Sequence, residues 1–270
     1  MRIGILLVAY QCEQYINSVL APWSILKCGL TDDLGIQVQK PAENLEIVIV
    51  AVSAQFKGFG DDKVYDNENT SVILNAHKRS GAIDEYIEIK DKQIWDFESR
   101  VAGWNYLKNK GCDLIWQLDG DEIYREREIL KAIAWIKENR WVDYYRVRFK
   151  NFIGNRKDNS YVDTFCPTRI IWTNKNGGIK NFYWDNDVEY MNGSKTPDVS
   201  HSIIPKPVLF PNHHSWDYSE IDGPQRVIDK IQFQKKTLGV CSYKFEDNKL
   251  QFDDSFYLKY NVTKPIIYYS

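Results

Sequence analysis

Three carboxylates surround one glycine in the segment LIWQLDGDEIY, residues 114–124. The apolar residues before Asp119 are typical of a buried strand, and the acids follow directly at its end. Like charges this close repel one another unless positive charge lies among them or water screens them. Asp119 and Asp121 are two positions apart and can point the same way. We therefore expect them to bind a hard divalent cation, Mg²⁺ or Mn²⁺, together with phosphate oxygens.

Two adjacent histidines in PNHHSWDYSE are the second chemical feature of the chain. Neutral imidazole is a good ligand for Mn²⁺-like ions. Neighbouring side chains on an extended strand point to opposite faces, so only one of His213 and His214 is expected to face a site. A hydrogen-bonded structural pair beside Pro211 and Trp216 is the alternative.

Composition narrows the possible function classes. The 270 residues include 35 Lys and Arg against 37 Asp and Glu, a net charge of -2, which lacks the positive excess expected of a nucleic-acid-binding protein. The apolar run Ile3 to Tyr10 is too short to cross a bilayer and lacks a signal-peptide cleavage site. Five scattered cysteines, odd in number, favour a reducing compartment. We expect a cytoplasmic protein without a transmembrane segment.

The order of strand and helix patterns predicts the fold class. RIGILLVAY and LEIVIVAVSA indicate buried parallel strands, EYIEIK an edge strand, and helices are expected over 96–110 and 126–139. Beyond Trp141 the pattern changes to the alternating strands DYYRVRFKNFI, TRIIWT and IKNFYW, with a turn at 176–178 before the last. We therefore predict an α/β domain with a mostly parallel central sheet flanked by helices and an antiparallel or mixed C-terminal half. Ligands of such sheets bind outside the carboxyl ends of the parallel strands, where Asp119 and Tyr10 stand.

Three segments of the first half of the chain carry a family pattern: ILLVAYQCEQYINSVL, EIVIVAVSA and ESRVAGWNYLKNKGCDLIWQLDGDEIY. In these segments the chain resembles the GT-A glycosyltransferases, specifically family-2-like members. Family members typically show V-x-x-Y-N-E-E at the first strand, A-R-N-x-G before the central strand and L-D-A-D-E at its end. Gln11-Cys12 stands here in place of Asn-Glu, and Ser53 in place of an Asp that contacts the base. The resemblance covers residues 1–140 well and the rest in outline.

The resemblance implies a fold, a division of the chain and a set of ligands. The fold is the nucleotide-diphospho-sugar transferase type, with residues 1–140 binding the nucleotide sugar, 141–240 binding the acceptor, and 241–270 a tail of unknown role. A family His in an H-Y-S-W setting favours His213 as the third metal ligand beside Asp119 and Asp121, with His214 as the alternative. The residues implied in nucleotide-sugar binding are Ala9, Tyr10, Gln11, Ser53, Arg100, Asp119 and Gly120.

The predicted activity is metal-dependent transfer of a sugar from a nucleotide-diphosphate sugar to a carbohydrate or other hydroxyl acceptor. An inverting enzyme also needs a carboxylate base near the acceptor. WDNDVEY offers Asp185, Asp187 and Glu189, which alternate along a predicted strand end beside aromatic residues that suit a sugar ring. The sequence leaves open which acid is the base, and whether the enzyme inverts or retains.

Two other functions compete with the transferase. A sugar-phosphate nucleotidyltransferase should carry a Gly-rich basic loop after its first strand, and AYQCEQY has neither glycine nor base. A non-catalytic carbohydrate-binding protein on the same fold would suit the abundance of aromatic residues, but would have no need to keep Asp119, Asp121 and His213. The oligomeric state is not determined by the sequence.

Overall fold

A computed structural model describes most of the first 217 residues and short segments beyond them. The described residues are 1–31, 37–39, 41–56, 67–94, 96–154, 160–163, 166–175, 179–182, 188–196, 199–217, 227–228, 231–232, 235, 241, 243–246, 249–253 and 268–269. The chain divides into two compact units. Unit 1 comprises Met1–Phe56, Tyr65–Arg148 and Cys166–Pro211, and unit 2 comprises Lys57–Val64, Phe149–Phe165 and Asn212–Ser270. The boundaries predicted at residues 140 and 240 concern the roles of these segments and stay predictions.

The described residues of unit 1 form four helices and twelve strands. The helices are α1 (Glu13–Cys28), α2 (Glu68–Arg79), α3 (Asp96–Asn109) and α4 (Glu126–Glu138). The strands before residue 130 are β1 (Arg2–Ala9), β2 (Leu30–Thr31), β3 (Gln37–Gln39), β4 (Glu46–Phe56), β5 (Glu85–Ile94), β6 (Leu114–Asp119) and β7 (Glu122–Ile123). The later strands are β8 (Tyr144–Arg146), β11 (Thr168–Trp172), β12 (Ile179–Phe182), β13 (Val188–Tyr190) and β14 (His201–Ile203).

A seven-stranded sheet forms the centre of unit 1, in the order β14-β8-β11-β6-β1-β4-β5. The strands β6, β1, β4 and β5 run parallel, and β11 is antiparallel to both β6 and β8. β5 lies at one edge, as its alternating sequence predicts. The predicted class, a mostly parallel α/β sheet followed by a mixed C-terminal part, is confirmed.

Helices cover both faces of this sheet because its central strands are apolar throughout. Seven of the eight residues of β1 are buried. Trp23 of α1 contacts Trp116 of β6 with ring centroids 4.9 Å apart, on one face. On the other face α3 packs closely on β1: a Cβ on Gly103 would meet the Leu6 side chain and lie 3.1 Å from Val52 Cγ2. The helix that carries Arg100 is thereby fixed against the strands that lead to the acidic residues.

Two local expectations from the sequence differ from the structure. A proline predicts that the first helix is disturbed at Pro22, but α1 continues through it to Cys28, and Pro22 is itself buried within the helix. The segment DYYRVRFKNFI, expected as one strand, is divided into β8 and a separate strand that begins at Lys150. Burial explains the second difference, since Tyr144, Tyr145, Val147 and Phe149 are all buried and alternation alone does not show where a strand changes sheets.

The described residues of unit 2 form six strands, and residues 227–228, 231–232 and 235 are helical. The strands are β9 (Lys150–Gly154), β10 (Ser160–Val162), β15 (Asn212–Asp217), β16 (Tyr243–Glu246), β17 (Lys249–Phe252) and β18 (Tyr268–Tyr269). β9 pairs antiparallel with β10 and parallel with β15, and β16 and β17 form a hairpin. Val227, Ile231, Cys241 and Tyr243 form a small buried cluster in this unit.

No helix within the described ranges is both long and apolar enough to cross a membrane.

Replacing Gly103 by Ala tests the packing of α3 on the sheet. The added methyl group meets Leu6 and Val52, both fully buried, so it overpacks the core at a cost of about 1–3 kcal/mol. This outweighs the roughly 1 kcal/mol gained by removing a glycine from a helix interior. We expect a lower free energy of unfolding in urea. Asn105→Ala, on the exposed side of the same helix, is the control and should not destabilise the protein.

Candidate functional site

The acidic turn, defined as Asp119–Glu122, lies at the carboxyl end of β6 near the middle of the seven-stranded sheet. Asp119 is opposite Val8 of β1 in the parallel register, so the turn is beside the end of β1. The Asp119 side chain is 28% exposed, whereas Glu122 is fully buried and Asp121 nearly so. This is the edge of the sheet at which α/β proteins bind ligands.

A buried arginine from the neighbouring antiparallel strand joins two of the turn's carboxylates. Arg169 of β11 donates from Nε to both Glu122 oxygens, at 2.9 and 3.1 Å, and its Nη2 also contacts Glu122 Oε1. The same Nη2 donates to Asp119 Oδ2 at 2.7 Å. One guanidinium therefore contacts both Asp119, at the partly exposed end of the acidic turn, and Glu122, at its buried end.

A second arginine reaches Asp119 from α3. Arg100 Nη2 donates to Asp119 Oδ1 at 2.5 Å, and Nη1 lies 3.4 Å from Gln117 Oε1. The Arg100 side chain is only 3% exposed. The positive charge that sequence reasoning assigned to a metal ion is thus supplied to Asp119 and Glu122 by two guanidiniums. The predicted role of Arg100 as a ligand contact stays a prediction, and in this structure its guanidinium is engaged by Asp119.

Burial sets the protonation behaviour of this cluster. It raises the pKa of Glu122 to about 8, with Arg169 acting in the opposite direction and Asp119 adding to the increase. Tyr124 donates its hydroxyl to Glu122 Oε2 at 3.3 Å, and burial raises the pKa of that hydroxyl as well. Burial acts to lower the pKa of Arg169, but Asp119 and Glu122 raise it above its usual value. The guanidinium therefore stays charged, and burial favours the protonated form of Glu122.

Gly120 allows the acidic turn to pack against the end of β1. A Cβ at this position would press on Cys12 Sγ and lie 3.1 Å from Cys12 Cβ and 3.4 Å from Ala9 Cα. The sequence suggested that a glycine here lets a ligand approach closely. The close approach that the structure shows is to Ala9 and Cys12, whose side chains are both buried.

The turn after β1 is held by the first residues of α2. Gln11 has φ 45°, a left-handed conformation that favours Asn or Gly over longer residues. Its N–H donates to Asn67 Oδ1 at 2.9 Å, and the N–H of Cys12 donates to Thr70 Oγ1 at 3.2 Å. Tyr10, at the start of this turn, is partly exposed. Tyr10 and Gln11 thus lie where the sequence predicts nucleotide contacts, and those contacts stay predictions.

Ser53 lies opposite Ala9 at the carboxyl end of β4. Its side chain is buried, and Oγ is 2.6 Å from Tyr86 Oη, which donates to Ser71 Oγ at 2.9 Å. In this structure the Ser53 hydroxyl is hydrogen-bonded within the protein. Its predicted role stays a prediction.

The two histidines lie in unit 2 and have different neighbours. His213 Nδ1 is 2.5 Å from Asn151 Oδ1, and its ring is tilted against Phe149. His214 is stacked on Phe152 with ring centroids 4.9 Å apart. Phe149 and Asn151, the neighbours of His213, are two residues apart and lie on the same side of their segment. Phe152, the neighbour of His214, follows Asn151 directly and points to the other side, so the two imidazole rings lie on opposite faces of β15. The predicted link between His213 and the acidic turn of unit 1 stays a prediction.

The candidate general bases are placed only in part. Asp185 and Asp187 lie outside the described residues. Glu189 of β13 accepts from Lys180 Nζ at 2.9 Å and from Asn181 Nδ2 at 3.2 Å, both on β12. In this structure Glu189 is therefore an ion-paired residue of a two-stranded sheet.

The described residues do not assemble a protein cage for a metal ion: within them, no three or more His, Cys, Asp or Glu side chains are grouped so as to hold one. Both Asp119 oxygens accept from guanidiniums, so a cation binding there would lie beside two positive charges. Asp121 has suitable chemistry for a hard cation. A Mg²⁺-type ion held by one or two carboxylates and by substrate phosphates needs no larger set.

Arg169 is the site residue that sequence reasoning missed. Its signal was present, because an arginine inside the apolar strand TRIIW needs a buried partner. Nothing in the sequence shows that the partner is 47 residues away.

An apolar cleft of about 350 Å³ between β5 and α3 was also not foreseen, and it is lined by Ile89, Ile94, Glu98, Val101 and Ala102.

Comparisons with known proteins found similarity in fold only. No protein-family model matches the chain, and no curated protein matches its sequence. S. aureus TarS 1–349 is 13% identical over 88% of this chain and 72% of that chain, with a TM-score of 0.46. Its complex with UDP-GlcNAc has a TM-score of 0.47 at the same identity and coverage. GalNAc-T7 with UDP, GalNAc and Mn²⁺ is 8% identical over 96% of this chain and 54% of that chain, with a TM-score of 0.40.

All three likenesses have TM-scores below 0.5 and sequence identities of 13% or less. Likenesses of this degree carry no information on activity, and the ligands belong to those proteins. Any function of this chain has to be argued from its own residues.

The raised pKa of Glu122 predicts a pH-dependent stability. Because its folded-state value of about 8 exceeds the usual 4.5, the folded protein keeps a proton that the unfolded chain loses, and stability falls as pH rises from about 4.5 to about 8. Glu122→Gln should remove this contribution, so its stability relative to the wild type improves with pH. Urea unfolding with EDTA present measures it.

Glu138→Gln, an exposed acid on α4, is the matched control and should leave the pH profile unchanged. A wild-type stability that rises over this range relative to Glu122→Gln would show that Arg169 outweighs burial and keeps Glu122 ionised.

Proposed function

We propose that the protein is a GT-A-type glycosyltransferase that moves a sugar from a nucleotide-diphosphate sugar to an acceptor hydroxyl, with a divalent cation bound together with the diphosphate. The observation that carries the proposal is the acidic turn at the carboxyl end of β6, beside the end of β1 and braced by two arginines. A solvated turn after a strand would not require a fully buried Arg169 and Glu122 beneath it.

Three residues at this edge of the sheet have proposed roles in donor binding. Asp121 supplies a carboxylate to the cation, and Asp119 fixes the shape of the turn through its two arginines. Tyr10 stacks on the nucleoside, since it is partly exposed at the end of β1. When bound, the cation neutralises the leaving diphosphate as a Lewis acid.

The acceptor side of the reaction is proposed more generally. Deprotonation of the acceptor hydroxyl needs a carboxylate within hydrogen-bond reach. Asp185 and Asp187 stay candidates from the sequence alone. Glu189 is the weaker candidate, because Lys180 and Asn181 already occupy its two oxygens.

Nucleotide binding should depend on the divalent cation. Without it the Asp121 carboxylate repels the diphosphate, whereas Arg100 and Arg169 offset the charge of Asp119 and Glu122. Calorimetric titration with UDP, GDP, ADP and CDP, each with Mn²⁺ or with EDTA, is expected to show binding of at least one nucleotide that weakens at least tenfold in EDTA. Asp121→Asn should abolish the difference, and Glu138→Gln should keep it.

Equal affinity in Mn²⁺ and EDTA would remove the proposed cation. Binding of free sugars without binding of any nucleotide would instead favour a carbohydrate-binding protein on this fold. Hydrolysis of the matching nucleotide sugar by the wild type, but not by Asp121→Asn, would establish the transferase half-reaction.

The histidine pair predicts a difference between two neighbouring variants. If His213 contacts the cation or diphosphate, His213→Ala should weaken Mn²⁺-dependent nucleotide binding about ten- to a hundred-fold, the usual loss for a ligand or its supporting residue. His214→Ala should chiefly lower the melting temperature, because it removes the ring stacked on Phe152.

Each variant serves as the control for the other, since both rings are buried on the same strand. A larger binding defect in His214→Ala would transfer the role to the other face of β15. No binding defect in either would separate this strand from donor binding.

A further inference from the structure

Arg169 links the buried base of the acidic turn to its partly exposed end. We infer that Arg169 is a positioning residue for donor binding, acting through Asp119: it holds that carboxylate in one orientation at the open edge of the sheet. The inference rests on the proposed function for its consequence, but the contact itself can be tested without any ligand.

The chemistry of the guanidinium suits this role better than that of an ammonium. Its planar fork contacts both oxygens of Glu122 and Asp119 Oδ2 simultaneously. A lysine offers a point charge and has no fork to fix the relative orientation of two carboxylates. Arg169 therefore determines where Asp119 points relative to Glu122.

The difference in side-chain exposure shows which end of the contact is rigid and which end a ligand can approach. The side chains of Arg169 and Glu122 are both 0% exposed, and that of Asp119 is 28% exposed. Arg169 is held on β11, which pairs on both sides with β6 and β8. The rigid end is therefore the arginine, and the part that a ligand can approach is the aspartate.

Arg100 does not duplicate this contact. It reaches the other oxygen, Oδ1, from the helix α3, and its second contact is with Gln117 of β6. With Arg169 removed, Asp119 loses the partner of Oδ2, and Glu122 loses its bidentate partner inside the protein. Removing Arg169 alone is therefore expected to destabilise the fold, and the test needs a background that tolerates the loss.

A Glu122→Gln background provides that tolerance. The neutral amide keeps an oxygen for Tyr124, and the variant removes the fully buried carboxylate that would lose its counter-charge when Arg169 is replaced. In this background Arg169→Met, Asp119→Asn and both together form a double-mutant cycle, measured by urea unfolding without nucleotide. If a member of the cycle does not fold, Arg169→Lys in the wild-type background is measured in its place.

A positioning contact predicts non-additive effects. Each single substitution multiplies the unfolding constant by some factor. We expect the factor in the double variant to be smaller, by about fivefold or more, than the product of the two single factors. As a matched reference, Arg146→Met combined with Asp119→Asn should be multiplicative within about twofold, since Arg146 of β8 donates to the backbone oxygen of Cys166. Multiplicative effects in the Arg169 cycle would overturn the inference.

The second measurement separates positioning from simple stability. UDP, or whichever nucleoside diphosphate the wild type binds, is titrated with Mn²⁺ into folded Arg169→Lys and Glu122→Gln/Arg169→Met. We expect affinity at least tenfold weaker than in the wild type and in Glu122→Gln alone. Arg146→Met should lose stability but keep wild-type affinity.

The outcomes distinguish the inference from the proposed function. Unchanged nucleotide affinity in folded variants without Arg169 would overturn the positioning role and leave the transferase proposal standing. A wild type that binds no nucleoside diphosphate would overturn the proposed function and with it the role in donor binding. The unfolding cycle would still decide whether Arg169 holds Asp119.

Discussion

The rest of unit 1 depends on one buried interaction, the bridge that Arg169 makes between Glu122 and Asp119. Burying a guanidinium costs several kcal/mol unless carboxylates and hydrogen bonds surround it closely. Here the guanidinium has two carboxylates, and its strand is fixed in the middle of the sheet by pairing on both sides. The chain after β6 therefore turns where it does, because a different path would leave the buried Arg169 guanidinium without its carboxylate partners.

This constraint shapes the edge of the sheet that the proposed function uses. Gly120 lets the acidic turn lie against Ala9 and Cys12. Asn67, which precedes α2, and Thr70 of α2 fix the turn after β1. Two loops from adjacent parallel strands are thus held in place before any ligand binds. Preorganised polar groups of this kind contribute to binding because they need little reorganisation.

The arginines also change how the acidic turn is understood. Clustered carboxylates suggest a cation as the missing positive charge, yet Asp119 and Glu122 have their counter-charge within the protein. A cation in the proposed reaction would then serve the diphosphate and Asp121, and would not be required to fold the turn. This division suits an ion that arrives with its substrate, as Mg²⁺-type ions commonly do at phosphate sites.

The sequence by itself determined the parallel core, the helices around it and the position of Asp119 at a strand end, because apolar runs and helical periodicity are local signals. It also placed the histidines on opposite faces of one strand. Only the tertiary structure decided that Arg169 contacts Glu122, that Tyr86 hydrogen-bonds with Ser53, and that β8 and β9 separate within one alternating segment. These depend on which strands become neighbours. That choice is made by burial and charge pairing between residues far apart in the chain, and no local pattern records it.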